Sequence, residues 1–363
     1  MTTSNKLAIG FVLLLILMVL FADFMANDLP ILAISGNGEW KLFEATQPQD
    51  SEVFRLNAPV PYKGGLDLDN TLLGPFTSLQ SGHYLGTDHL GRDLLAVMIH
   101  GARLSLGIGI LAILIAAAIG IVVGGVSGFF GDQRIRVTYG ELLISLLTCL
   151  LFFYLVIHLN EVLIFLMILG VLVLLYIKIP SPSDVLSGRR VMLPADFLSL
   201  KFMEGFSSIP GYFLIMAIIV FIEPNWMIFA IIIGATRWVG IARLTRGEMI
   251  KIRESGYIES ARALGVHPWL IFWKHALPNA LGPLPYAITF GIANIIIVES
   301  TLSYFGIGLP ADSISWGNFL SGFKSNPSAW WIALIPGLVI FLCILSLHVI
   351  GRALDSKFNP KGR

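Results

Sequence analysis

Residues 257–278 read YIESARALGVHPWLIFWKHALP and set Tyr257, Glu259, Ala261, Leu264 and Gly265 ahead of Leu277 and Pro278. The chemistry these residues suit is recognition by a partner. Tyr257 to Leu264 has the pattern of a short amphipathic helix, Gly265 breaks it, and a second helical stretch runs to a stop at Pro278. Glycine admits a left-handed helix end, and proline has no N–H to donate. Arg243, Arg246, Lys251, Arg253, Arg262 and Lys274 surround the segment, which lies between two apolar stretches. A structured basic loop of this kind is built to be gripped by a partner in the cytoplasm.

Other chemically capable groups are few. Glu299 sits in the apolar run IIIVESTLSYF. There it either lines a path or outer gate, or is hydrogen-bonded to a neighbouring helix near the outer interface. Arg237 reads as a side chain that snorkels toward the inner arginine cluster. His158, His267, His275 and His348 are scattered and form no metal-ligand set. Cys149 and Cys343 lie inside apolar runs and read as small hydrophobes. No G-x-x-x-x-G-K-[ST] phosphate loop occurs, so ATP is not bound by that route, no cofactor is expected, and the chain is not an enzyme by itself.

The elements that must position these groups are membrane helices. Of 363 residues 56% are hydrophobic and 13% charged, with a mean hydropathy of +0.80; soluble domains carry about 25% charged residues. Most of the surface must face lipid. A net charge of +1 supplies no field that recruits nucleic acid.

A run of about twenty apolar residues crosses the hydrocarbon core as a helix. Such runs fall at 7–25, 104–127, 141–158, 162–179, 210–223, 226–243, 284–305 and 330–350, the fifth being short and bounded by Pro210 and Pro224. Lys6, Arg134, Arg136, Lys178, Arg189, Arg190, Lys201, the loop cluster and the basic tail from Arg352 to Arg363 all fall on one side of this eight-span arrangement. The positive-inside rule then puts both termini in the cytoplasm. The first run is expected to be an uncleaved anchor rather than a signal peptide. Pro283, Pro285 and Pro336 stand where they can kink helices.

The loop resembles the EAA coupling loop of ABC importer permeases: Glu-Ala-Ala, three residues, Gly, nine residues, Ile, any residue, Leu-Pro. Glu259, Ala261, Gly265, Leu277 and Pro278 fall on this pattern, while Ser260 and His275 depart from it. Upstream, YLGTDHLGRDLL resembles the G-T-D-x-x-G-R-D signature of dipeptide and oligopeptide permeases through Gly86, Thr87, Asp88, Gly91, Arg92 and Asp93. Thr87 or Asp88 is expected to cap the helix that follows. STLSYFGIGLP, SISWGNFL (with Ser315, Trp316, Gly317 and Asn318) and the closing GRALDSKFNPK extend the resemblance, which covers 82–136 and 200–360. The chain is therefore similar to the second-permease type of the dipeptide/oligopeptide/nickel family. Residues 25–40, through Ala26, Asn27, Asp28, Pro30, Gly38 and Trp40, look like the microcin C/oligopeptide subgroup.

This resemblance implies an all-α polytopic protein with a type I importer bundle of six family helices and an irregular extracytoplasmic segment. The expected parts are an anchor (1–25), that segment with an interfacial helix at its end (26–103), a second span and turn (104–136), an inserted hairpin and linker (137–200), a permease core (201–350) with the coupling loop at 248–283, and a tail (351–363). The hairpin departs from the family and reads as a docking surface for another membrane subunit or as a peripheral decoration. The implied protein is a multi-pass subunit of the inner (plasma) membrane. Its partners are a second homologous permease, two cytoplasmic ATP-binding subunits, an extracytoplasmic substrate-binding protein and membrane lipid, with di- or oligopeptides as cargo. A secondary transporter would need inverted repeats and a polytopic enzyme would need convergent acids and histidines at one depth; neither pattern is present.

Overall fold

The structure, a computed structural model, describes residues 3–35, 40–43, 52–63, 71–76, 82–132, 136–138, 190–192, 194–310 and 312–358. The hairpin expected at 141–158 and 162–179 lies outside the described residues.

Five described helices are long and apolar enough to cross a membrane. They are α1 (Thr3–Leu20), α3 (Leu94–Phe130), α6 (Trp226–Arg253), α10 (Leu284–Tyr304) and α12 (Trp331–Phe358). The run expected at 210–223 is instead part of a broken element. Helix α4 (Ala195–Ser207) and helix α5 (Gly211–Ile219) meet at 78°. With 9 residues, α5 is about 13 Å long at 1.5 Å per residue and does not cross alone. The sharp bend falls at Pro210, whose ring disfavours a helical residue before it.

The bundle is organised on the packing of α3 against α6. A Cβ on Gly120 would lie 2.8 Å from the Trp238 carbonyl, and one on Gly124 would collide with the Ala242 carbonyl. Small residues at this spacing let two helix backbones approach where lipid gives no hydrophobic driving force. Ile108, Ala112, Ala116, Phe229, Ile233 and Ala242 form the buried centre of this seam, and Ile295 and Leu302 bring α10 onto it. A second core joins Leu15 of α1 and Leu94 and Met98 of α3 to Ile332 and Cys343 of α12.

Chain direction gives the bundle two ends. One end holds the start of α3 and the segment before it, including helix α2 (Ala22–Met25) and an antiparallel sheet of β1 (Leu32–Ser35), β2 (Trp40–Leu42) and β3 (Glu52–Leu56) in the order β2-β1-β3. Leu32 pairs with Leu42 on one side and Leu56 on the other. This end is fastened by Arg103, whose Nη2 is 3.1 Å from Asp23 Oδ2 and which also donates to the Val19 carbonyl. His100 Nε2 is 2.7 Å from the Ala26 carbonyl oxygen. The opposite end holds a short pairing of β4 (Arg136–Thr138) with β5 (Arg190–Met192). There Arg246 forks onto both carboxylate oxygens of Asp196 at 2.6 and 2.8 Å.

The long helix α3 begins at Leu94 and continues unbroken to Phe130. The interfacial helix expected before residue 104 is thus the first turns of the span itself. Of the three prolines expected to kink helices, Pro283 is the N-cap of α10 and Pro285 lies in its first turn, where a missing N–H costs nothing. Pro336 alone stands inside a helix.

Candidate coupling surface and the opposite end

The loop between α6 and α10 is helical for most of its length. Helix α7 (Gly256–Ala263) ends at Leu264, and Gly265 follows with φ +74°, a left-handed value that favours glycine. Helix α8 (Pro268–Ile271) continues into a π-helical turn over Phe272–Ala276 and then into α9 (Leu277–Ala280). Pro278 therefore does not stop the helix as its type suggested. A proline ring clashes with the carbonyl four residues earlier, and the chain widens there instead: Leu277 N donates five residues back, to Phe272 O.

One side of α7 is locked down. Ile258 is fully buried with Phe129 and Phe130 of α3, Met249 of α6, and Ile271, Phe272, Ala276 and Leu277 of the loop. Ala261 is half-buried against this cluster. Arg262 places its guanidinium 5.6 Å from the centre of the Phe129 ring. Arg253 donates to the Gly128 carbonyl at 3.2 Å. The other side is open: Tyr257, Glu259, Gly265 and Pro278 are exposed, and Leu264 is 83% exposed. Trp269, Leu270 and Trp273 extend the exposed apolar surface. The structure thus brings Tyr257, Glu259, Leu264 and Gly265 to one surface, while Leu277 serves the buried anchor. Sequence reasoning missed Ile258; its spacing of three residues from Ala261 was the available signal.

At the opposite end the G-T-D-x-x-G-R-D residues build a clasp. Asp93 caps α3, its carboxylate accepting from Ala96 N at 2.8 Å. The cap expected at Thr87 or Asp88 is therefore Asp93, because both earlier residues are occupied elsewhere. Asp88 accepts from the backbones of Leu90 and Arg92 and from Arg92 Nε at 2.8 Å. Gly91 takes φ +73° within that turn. Thr87 Oγ1 accepts from Leu73 N, and its carbonyl accepts from Trp331 Nε1 of α12 at 3.1 Å. Leu94 N closes onto the Gly86 carbonyl. His83, buried and stacked 4.0 Å from Tyr62, donates from Nδ1 to Asp93 Oδ2 at 2.9 Å.

Helix α11 (Trp316–Ser321), carrying the S-W-G-N sequence, is inserted beside this clasp. Trp316 is fully buried and donates from Nε1 to the Met98 carbonyl at 3.1 Å. Ser315 caps the helix by accepting from Asn318 N. Glu299 of α10 is 0% exposed and lies beneath α11 among serines. Ser303 donates to one of its oxygens at 3.0 Å and Ser300 to the other at 3.2 Å. Ser105 of α3 and Ser315 lie beside it as well. Its carboxylate has no exposed surface in this structure.

A cavity of about 380 Å³ opens between α6 and the first half of α10, with Arg237, Tyr286, Phe290 and Asn294 among its walls. The Arg237 guanidinium lies 5.8 Å from the centre of the Tyr212 ring on α5.

Long apolar helices packed through small residues, with a rigidly seated helical loop projecting from one end, define a polytopic transport permease. Residues 185–360 match the family described as "Binding-protein-dependent transport system inner membrane component". That stretch carries the family's domain, and the chain is a multi-pass ABC transporter permease. It is 26% identical over 298 residues to the oligopeptide transport system permease OppC of Haemophilus influenzae, covering 82% of this chain and 76% of that one. It is 26% identical over 283 residues to the dipeptide transport system permease DppC of Bacillus subtilis, covering 77% and 69%. An inward-facing structure of the MetNI methionine ABC transporter is similar with a TM-score of 0.45 and 16% identity, over 71% of this chain and 96% of that one.

Proposed function

We propose that this permease forms half of the translocation path of an ATP-driven importer of di- or oligopeptides. In this reading α7 and Gly265 dock in a groove of a cytoplasmic ATP-binding subunit. The observation that carries the reading is the division of α7: Ile258 is buried with the ends of α3 and α6, while Tyr257, Glu259 and Leu264 face outward. A push on the exposed side is then borne by the two central helices rather than absorbed in a loose loop. Such transmission requires packed elements with discrete arrangements.

The mechanism is alternating access. A second, homologous permease supplies the other half of the path, and two ATP-binding subunits take one coupling helix each. Their closure on ATP turns the bundle toward the extracytoplasmic side, where a binding protein delivers cargo; hydrolysis and release return it. ATP shifts the equilibrium through its different contacts in the two states. Both termini and the loop lie in the cytoplasm, and the clasp of Gly86, Thr87, Asp88, Gly91, Arg92 and Asp93 closes the outer end, with the Glu299 serine cage beneath it. The basic flanks of the loop support this orientation. Peptide cargo rests on the named transport roles of the oligopeptide and dipeptide relatives.

The test is purification of the chain from its native membrane in mild detergent. Co-purifying ATPase subunits, retained by the wild type and lost from a Glu259→Ala/Gly265→Asp double variant that still inserts, support the assignment. A chain that purifies alone in several detergents overturns it.

A further inference from the structure

Arg237 lies about 16 Å from the start of α6 at about 1.5 Å per residue. A hydrocarbon core is about 30 Å thick, which sets the residue near its middle. Charge at that depth is costly unless it is paired or faces water. Among the described residues no carboxylate forms an ion pair with Arg237. Its Nε is buried without a hydrogen-bond partner. The charge is not neutral in its effect on the surroundings either: the first residue of α5, Gly211, adjoins it, so that a Cβ there would sit 3.9 Å from Arg237 Cζ. The positive end of the α5 dipole thus meets a guanidinium, and both favour an anion.

Arg237 also lines the 380 Å³ cavity, which has the Tyr286 and Phe290 rings and the Asn294 amide on its α10 wall. Gly240, on the α6 side, leaves its neighbourhood open, with no atom within 4 Å of where a Cβ would sit. A guanidinium without an ion-pair partner and a side-chain amide, set among aromatic and aliphatic walls, form a site for one carboxylate attached to an uncharged body.

We propose that Arg237 receives the C-terminal carboxylate of a peptide in transit. The inference rests on the peptide-importer reading above. A path that passes many side chains can hold only what all its cargoes share, and a free α-carboxylate is such a group. Aromatic walls accept varied side chains without fixed hydrogen bonds.

The experiment uses the full importer, with its binding protein, in proteoliposomes, and radiolabelled trialanine beside its C-terminal amide. Binding of both probes to the binding protein is measured separately so that uptake is compared at equal receptor occupancy. Arg237→Gln is expected to lower trialanine uptake at least tenfold, to leave uptake of the amide within twofold of the wild type, and to leave the complex assembled. Arg237→Lys, which keeps the charge, is expected to retain at least a third of the trialanine uptake. Equal trialanine uptake by Arg237→Gln and wild type overturns the inference. So does loss of the second permease from the Arg237→Gln complex, which would assign the arginine to a carboxylate of that partner. If the wild type moves neither probe, it is the peptide-importer reading that falls, and this inference falls with it.

Discussion

Arg262 of the exposed helix α7 sits with its guanidinium 5.6 Å from the centre of the Phe129 ring, at the last turn of the 37-residue helix α3. A helix that faces solvent is thereby joined, side chain to side chain, to an element that runs the length of the bundle. Ile258 makes the same connection through the buried cluster it shares with Phe130 and Met249.

Ile258 is the place to break that connection without touching the docking face. Ile258→Ala removes buried methyl groups, a change that costs about 2–5 kcal/mol in well-packed cores. Transport is expected to fall severalfold while ATPase subunits still co-purify. Leu264→Ala, at an exposed position, should do the reverse: an unchanged melting temperature and weakened co-purification.

Gly265 gives a third variant with a distinct signature. Its φ of +74° disfavours any residue with a Cβ, by about 1–2 kcal/mol, yet a Cβ there meets no atom within 4 Å. Gly265→Val is therefore expected to insert, to melt slightly below the wild type and to lose transport, because the strain falls on the angle between α7 and α8. Gly265→Asn, whose side chain tolerates the left-handed region, should keep more activity than the valine variant.

Gly124 has the opposite character. Its Cα faces the Ala242 carbonyl so closely that a side chain has no space. Gly124→Val should separate α3 from α6, cost about 1–3 kcal/mol or more, and lower the yield and melting temperature of the purified protein. Gly107→Ala, on the same helix but with no atom within 4 Å of the new Cβ, is the control and should be neutral.

Glu299 is held by serines from α3, α10 and the cap of α11. Glu299→Ala leaves several buried hydroxyls without their acceptor, at about 1–3 kcal/mol for an unsatisfied buried group. Its melting temperature should drop by several degrees in detergent, whereas Glu299→Gln, which keeps an acceptor oxygen, should lose less than half as much.

These positions also mark where a one-dimensional reading ends. Hydropathy located α1, α3, α6, α10 and α12, because crossing a bilayer demands a long apolar run. The glycine break at 265 was legible since a left-handed residue is nearly a glycine property. The persistence of helix through Pro278 was not: it depends on a π turn that a local rule for proline does not contain. The Asp93 cap was misplaced by a few residues because Thr87 and Asp88 are equally good capping types, and only their tertiary partners Leu73 and Arg92 remove them from that role. Arg237 looked like a snorkelling residue by its distance from Arg243 along the chain, but the direction of its side chain toward Tyr212 is set by the packing of α5, which sequence spacing does not carry.

Contact between α7 and an ATP-binding subunit can be read by site-specific photo-crosslinking in intact cells. A benzoylphenylalanine is placed at Leu264, which is 83% exposed and needs no repacking; a second is placed at Phe305, an exposed residue at the far end of α10. An ultraviolet-dependent adduct is expected between the Leu264 probe and an ATP-binding subunit, and none to that subunit from Phe305. A Leu264 probe that forms no such adduct, or a Phe305 probe that does, would contradict it.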